Sequence, residues 1–145
     1  MEETLKVFTD GACLGNPGPG GWAYAKEGDR SRSGGAPRTT NQRMELTAVL
    51  RALEDLAGPI EIYSDSTYVV NCFNQKWYVG WMRKGWRNSK GDPVANRDLW
   101  EPLLDLYLKS PESYSFHWVK GHSGVAGNEL VDELARSEAQ KAAEN

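Results

Sequence analysis

The chain has 145 residues, is 39% hydrophobic and 26% charged, and carries a net charge of −3. That size suits one domain, residues 1–145, able to bury a core without disulfides, and the overall balance carries no global mark of nucleic acid. Cys13 and Cys72 lack CxxC spacing, no apolar run is long enough to span a bilayer, and MEETLKVF is not a signal peptide. A zinc site, a disulfide scaffold, a membrane partner and export are therefore not expected, and a reducing, cytoplasmic setting is.

Residues 5–9, LKVFT, alternate and predict a strand ending at Asp10. GWAYA (21–25) and the SRSGG region (31–35) predict two antiparallel partners, joined through EGDR. Gly15, Gly18, Gly20 and Gly21 read as the turn between the first two strands. No GK[ST] follows them and Ala23 breaks GxGxxG, so a phosphate loop is excluded. Leu46, Val49, Leu50, Leu53 and Leu56 recur at helical spacing, with Thr39 and Gln42 as a capping box and Gly58-Pro59 as the stop.

IEIYS (60–64) predicts a strand ending at Asp65, and STYVVNCF a helix that begins at once. Residues 75–93 mix helix and loop around Gly80, Gly85 and Gly91, and a further helix runs from about Asn96 through Leu99, Leu103, Leu106 and Tyr107. SFHWV (115–119) is strand-like, KGHSGVAG a loop, and NELVDELARSEAQKAA a closing helix whose last residues, AAEN, are expected to fray. Crossover helices between the later strands imply a mixed α/β sheet covered on both faces.

Charge is unevenly spread. Lys76, Arg83, Lys84, Arg87, Lys90 and Arg97 face only Asp92 within their stretch, which also holds Trp77, Trp81 and Trp86. Asp10 and Asp65 each stand just past an apolar strand, where chemistry gathers in α/β sheets; Glu45 lies early in one helix and Asp132 within the last. If these acids converge, they need cations, and hard oxygens without a Cys/His cluster favour Mg²⁺ or Mn²⁺ over zinc. Strand-end aspartates also serve as caps or turn formers, and Glu45 and Asp132 as surface residues. The residues alone leave both readings open.

The segments FTDGACLGNPGPGGW, TTNQRMELTAVLRALE, IYSDSTYVV, KWYVGWMRKGWR, PVANRDLW and HWVKGHSGVAGNELVDELA, in this order, resemble type 1 ribonuclease H. The resemblance implies that family's fold: a five-stranded mixed sheet, three antiparallel strands then two parallel, flanked by helices. It implies an endoribonuclease that cuts the RNA strand of RNA/DNA hybrids, leaving 5'-phosphate and 3'-hydroxyl ends. Two Mg²⁺ ions, with Mn²⁺ as a substitute, would sit on Asp10, Glu45, Asp65 and Asp132, and His122 would assist proton transfer or product release. His117, inside an apolar strand, reads as structural.

The same resemblance places Cys13, Asn16, Asn41 and Gln42 at the minor groove of the hybrid, with Gly11 letting the backbone approach RNA and Thr67 supplying a further RNA contact. Arg38 and Thr40, completed by Asn96, match a DNA-phosphate pocket. The basic stretch around 76–91 matches a protruding handle, in which Lys84 would meet the duplex, Trp81 and Trp86 would both pack and meet it, and Trp77 would pack internally. A monomer is expected. The rival readings are a DNA-directed nuclease of the same superfamily and a catalytically silent nucleic-acid-binding module.

Overall fold

A computed structural model describes residues 3–28 and 30–144. The EGDR connection includes residue 29, and MEETLKVF and AAEN include residues 1, 2 and 145, so those parts of the expectations lie outside the described residues. Five strands, β1 (Leu5–Cys13), β2 (Gly18–Lys26), β3 (Ser31–Thr39), β4 (Ile60–Ser64) and β5 (Tyr114–Trp118), form one sheet in the order β3-β2-β1-β4-β5. β1 pairs antiparallel with β2 and parallel with β4, β2 antiparallel with β3, and β4 parallel with β5. The helices are α1 (Asn41–Asp55), α2 (Thr67–Asn74), α3 (Trp77–Arg83), α4 (Arg97–Lys109) and α5 (Ala126–Glu144).

Both faces of the sheet are covered, so β1 buries Val7, Phe8, Thr9 and Asp10 in succession instead of alternating. On one face Val7, Ile60 and Ile62 pack with Leu46, Val49, Leu50 and Leu53 of α1, Val69 and Phe73 of α2, and Trp100, Leu103 and Leu104 of α4. On the other, Phe8, Ala23 and Ala25 meet Val131 and Ala135 of α5 in a smaller cluster. No helix among the described residues is long and apolar enough to cross a membrane.

Four sequence expectations need correction. The first strand does not stop before Asp10, because pairing with β2 continues to Cys13↔Gly20. Gly18, Gly20 and Gly21 lie in β2, not in the turn; at Gly21 a side chain would strike the α5 backbone at Ala135 and Ala139. α1 is capped by Thr40, whose Oγ1 accepts the Arg43 N–H at 3.2 Å, so Thr39 and Gln42 form no capping box. The same helix ends at Asp55, before Gly58-Pro59, because Leu56 is already extended and buried as its C-cap.

The basic stretch folds as α3 and a loop that returns through an isolated bridge between Arg87 and Pro93. Gly85 and Gly91 take positive φ there, whereas Gly80 sits inside the helix. Trp81 stands edge-on to the buried Trp100 at 5.3 Å and 6.3 Å from Trp86, and the Arg97 guanidinium lies 5.1 Å over the Trp86 ring. Trp77 packs against the same core, as expected.

Candidate active site

Parallel pairing of β1 with β4 stops at Thr9↔Ser64, and the next residue on each strand is an aspartate. Asp10 and Asp65 are thereby set side by side at the carboxyl edge of the sheet. α1 crosses β1 there and brings Glu45 in from above. The close crossing depends on Gly11: a Cβ at that position would fall 2.6 Å from the Met44 carbonyl carbon and closer still to the Glu45 amide nitrogen. Gly11 is thus a packing requirement between β1 and α1.

Ligand oxygens of Asp10, Glu45 and Asp65 all lie within 4.8 Å of one another. Asp10 is only 4% exposed, and its Oδ1 accepts the Gly11 N–H at 2.8 Å. Burial, then the Asp65 charge, push the Asp10 carboxyl far above the usual carboxylate range. Burial likewise raises Glu45 to about 7, although a hydrogen bond from the Ser66 hydroxyl opposes the shift. Burial raises the Asp65 carboxyl as well, while Asp10 as a hydrogen-bond partner and the His122 charge pull it back.

The ion pairs of the described residues bring no Lys or Arg to these three acids. Converging acids, one almost wholly buried and none offset by a cation, fit a hard divalent ion in donor type.

Asp132 is not in this group. Its Oδ2 pairs with Arg136 at 2.9 Å, one turn along α5, although its charge is felt by both Asp10 and Asp65. The structure therefore gathers three of the four expected acids and leaves the fourth at the margin. His122 is exposed in the loop before α5 with φ +56°. His117 is structural in its contacts: its ring stacks on Tyr63 at 4.9 Å and its Nε2 meets the Ser115 hydroxyl.

The expected substrate residues fall into three places. Asn16 Oδ1 accepts the Asn41 N–H at 3.1 Å, bringing the turn after β1 against the start of α1, where Gln42 is also exposed. Cys13 lies beside them with its thiol directed to the Gly18 and Thr39 carbonyls, each at 3.3 Å. Thr67 is exposed at the first turn of α2.

Arg38 is exposed on β3, and Thr40 and Asn96 are linked through Arg43, which bonds Asn96 Oδ1 at 3.4 Å. Arg43 also clamps both oxygens of Asp98, at 2.9 and 2.6 Å, and Asn96 reaches the Tyr68 hydroxyl. Sequence reasoning missed Arg43, Tyr68 and Ser66, for their roles exist only as contacts between elements. In the handle, Trp77, Trp81, Lys84 and Arg87 line a groove of about 310 Å³. A cleft of about 440 Å³ between Gly35–Pro37 and the end of α5 contains no such acid group.

A family model described as RNase H matches residues 2–140. A protein named Ribonuclease H from Nitratidesulfovibrio vulgaris (strain DP4) is 51% identical over 142 residues, covering 94% of this chain and 90% of its own length. Another of that name, from Thermus thermophilus, is 50% identical over 146 residues, covering 96% and 86%. The solved structure of LC9-RNase H1, described as a type 1 RNase H with the type 2 active-site motif, superposes with a TM-score of 0.79 at 28% identity, covering 96% of this chain and 73% of that one.

Proposed function

The chain belongs to the ribonuclease H family, and we propose that its acid group is where it hydrolyses the RNA strand of RNA/DNA hybrids. It is a nuclease, and the observation that carries the placement of its chemistry is the meeting of Asp10, Glu45 and Asp65 without a protein cation. Two Mg²⁺ ions, with Mn²⁺ as a substitute, are the proposed occupants. When bound, such ions supply a water of lowered pKa and positive charge for the phosphate and the leaving oxygen.

The protein's own groups do the rest. Asp10, deepest of the three, would have to be ionised to hold the ions and would be their central ligand. Glu45 and Asp65 would hold an ion on the side of the attacking water, with the Ser66 hydroxyl bonded to Glu45. Asp132, which shares its charge with Arg136 in this structure, completes the leaving-group side. The water oxygen attacks phosphorus and the bond to the 3'-oxygen breaks, leaving 5'-phosphate and 3'-hydroxyl ends. His122, exposed on its loop, carries protons to or from the products.

Cys13, Asn16, Asn41 and Gln42 read the shallow groove where 2'-hydroxyls lie, and Thr67 adds a contact beside Asp65. Arg38, Thr40 and Asn96 receive a DNA phosphate, with Arg43 fixing the latter two. The groove cations of the handle take further phosphates. Replacing Lys84 and Arg87 with alanine is expected to weaken hybrid binding and flatten the slope of log affinity against log salt by about 1 to 2, read in a salt titration. The enzyme is expected to act as a monomer in the cytoplasm.

The test uses one labelled RNA strand paired with DNA, paired with RNA, and alone, beside a labelled DNA duplex, each with Mg²⁺ or Mn²⁺ and then EDTA. Metal-dependent internal cleavage confined to the hybrid is the expected result. Cleavage of a DNA duplex, or hybrid binding without cleavage in either metal, would overturn it.

A further inference from the structure

Asp65 occupies the bend between β4 and α2, a place where a backbone has few partners. The β4–β5 ladder ends at Ser64↔Trp118, and the first α2 hydrogen bond runs from Val70 N–H to the Ser66 carbonyl. The Asp65 carbonyl belongs to neither. It accepts instead the indole N–H of Trp118, at 3.1 Å.

Trp118 is unlike the other tryptophans. Trp22 and Trp100 are buried in the larger core, and Trp77, Trp81 and Trp86 pack against it, but Trp118 joins neither core cluster. It is 52% exposed, so burial does not hold it in place. Two neighbours press on the same bend. The Val119 N–H donates to the Ser64 carbonyl at 2.9 Å, and an ideal Cβ on Gly121 would fall 3.0 Å from Asp65 Oδ2. Trp118 and Val119 thus hold the bend at two successive carbonyls, Asp65 and Ser64, while Gly121 leaves room beside the Asp65 carboxylate.

We propose that Trp118 is a positioning residue for Asp65: its indole N–H fixes the Asp65 carbonyl and so aims the carboxylate at the ions. This rests on the metal reading given above. Because Trp118 is half exposed, water can replace its N–H at the carbonyl, and the fold loses little when the donor is removed. The aim of the carboxylate is what changes, since a water does not tie the bend to β5.

The test compares Trp118→Phe, which keeps a ring without the donor, with Trp118→Leu. Calorimetry with Mn²⁺ alone is expected to show both variants binding about fivefold more weakly than the wild type, the weight of one neutral hydrogen bond. In hybrid cleavage the loss falls on the half-saturating Mg²⁺ concentration more than on turnover at saturation. Metal-induced change in tryptophan emission, present in the wild type, should vanish in Trp118→Phe.

Wild-type Mn²⁺ affinity in Trp118→Phe, or weakening in Trp118→Leu alone, would reduce the residue to packing and overturn the inference. A wild-type protein that binds no Mn²⁺ would instead overturn the metal reading beneath it.

Discussion

Asp10→Asn is expected to abolish hybrid cleavage and, in EDTA, to make the protein more stable than the wild type. The loss of activity should exceed about a thousandfold, beyond the roughly 10- to 100-fold that follows removal of a metal ligand's outer partner. Asparagine keeps the shape, and its Oδ1 can still accept the Gly11 N–H that Asp10 takes at 2.8 Å. What disappears is an acid whose ionised form is buried beside two other carboxyl groups. Wild-type activity in the variant would remove Asp10 from the site.

The gain in stability has a definite pH window. Asp10 and Glu45 both have folded-state pKa values above their unfolded ones, so the folded protein holds protons that the unfolded chain releases. The cost of ionising them is absent below about pH 4, grows as pH rises, and is complete above the folded values. For Glu45, raised from 4.5 to about 7, it amounts to about 3 kcal/mol. Relief of a burden of that order at Asp10 should raise the melting temperature in EDTA at pH 9 by roughly 5 to 10 °C. At pH 4 the two proteins should melt together. Mg²⁺ should raise the wild-type melting temperature and leave that of Asp10→Asn nearly unmoved. Equal melting at pH 9 in EDTA would mean that the acids are not strained by their burial.

Much of this was legible in the sequence. IEIYS was read to the residue because buried Ile60 and Ile62 alternate with the less buried Glu61 and Tyr63, and Gly58-Pro59 and Asp65 bound the run. The strand-end rule found Asp65 and, nearly, Asp10. It erred on Asp10 because it treats a polar residue as the end of a strand, whereas β1 keeps its β2 partner for three more residues.

Asp132 was placed with the other acids through resemblance. Its side chain direction, toward Arg136, is set locally by the helix, and no spacing between distant motifs reveals that. Trp118 and Arg43 escaped for a related reason. One is an exposed aromatic and the other a helix-surface cation until the chain folds, and only tertiary contacts give either a task. Of the handle tryptophans, Trp77 was read as packing and does pack against the core around Trp100, and Trp81 and Trp86, expected both to pack and to meet the duplex, pack against that core as well.

Gly11→Ala should do damage of a different kind, to the fold and the chemistry together. The added methyl would meet backbone at Glu45 and Met44, not the movable end of a side chain, so α1 and β1 must part. Overpacking of this sort costs about 1 to 3 kcal/mol, and rigid backbone on the opposing side argues for the upper end. The same displacement carries Glu45 away from Asp10, and a shift of about 1 Å in a reacting geometry is worth on the order of a hundredfold in rate. Thermal melting and hybrid cleavage should therefore fall in concert.

Gly80→Ala is the contrast, since a Cβ there meets nothing within 4 Å. In α3 that change should leave the melting temperature level or raise it slightly, by the helix preference of alanine. If Gly11 served instead to let RNA approach the backbone, Gly11→Ala would melt like the wild type and lose only its hold on the hybrid. The position of α1 across β1 argues for the first outcome: the space a side chain would need is already filled by the helix that carries Glu45.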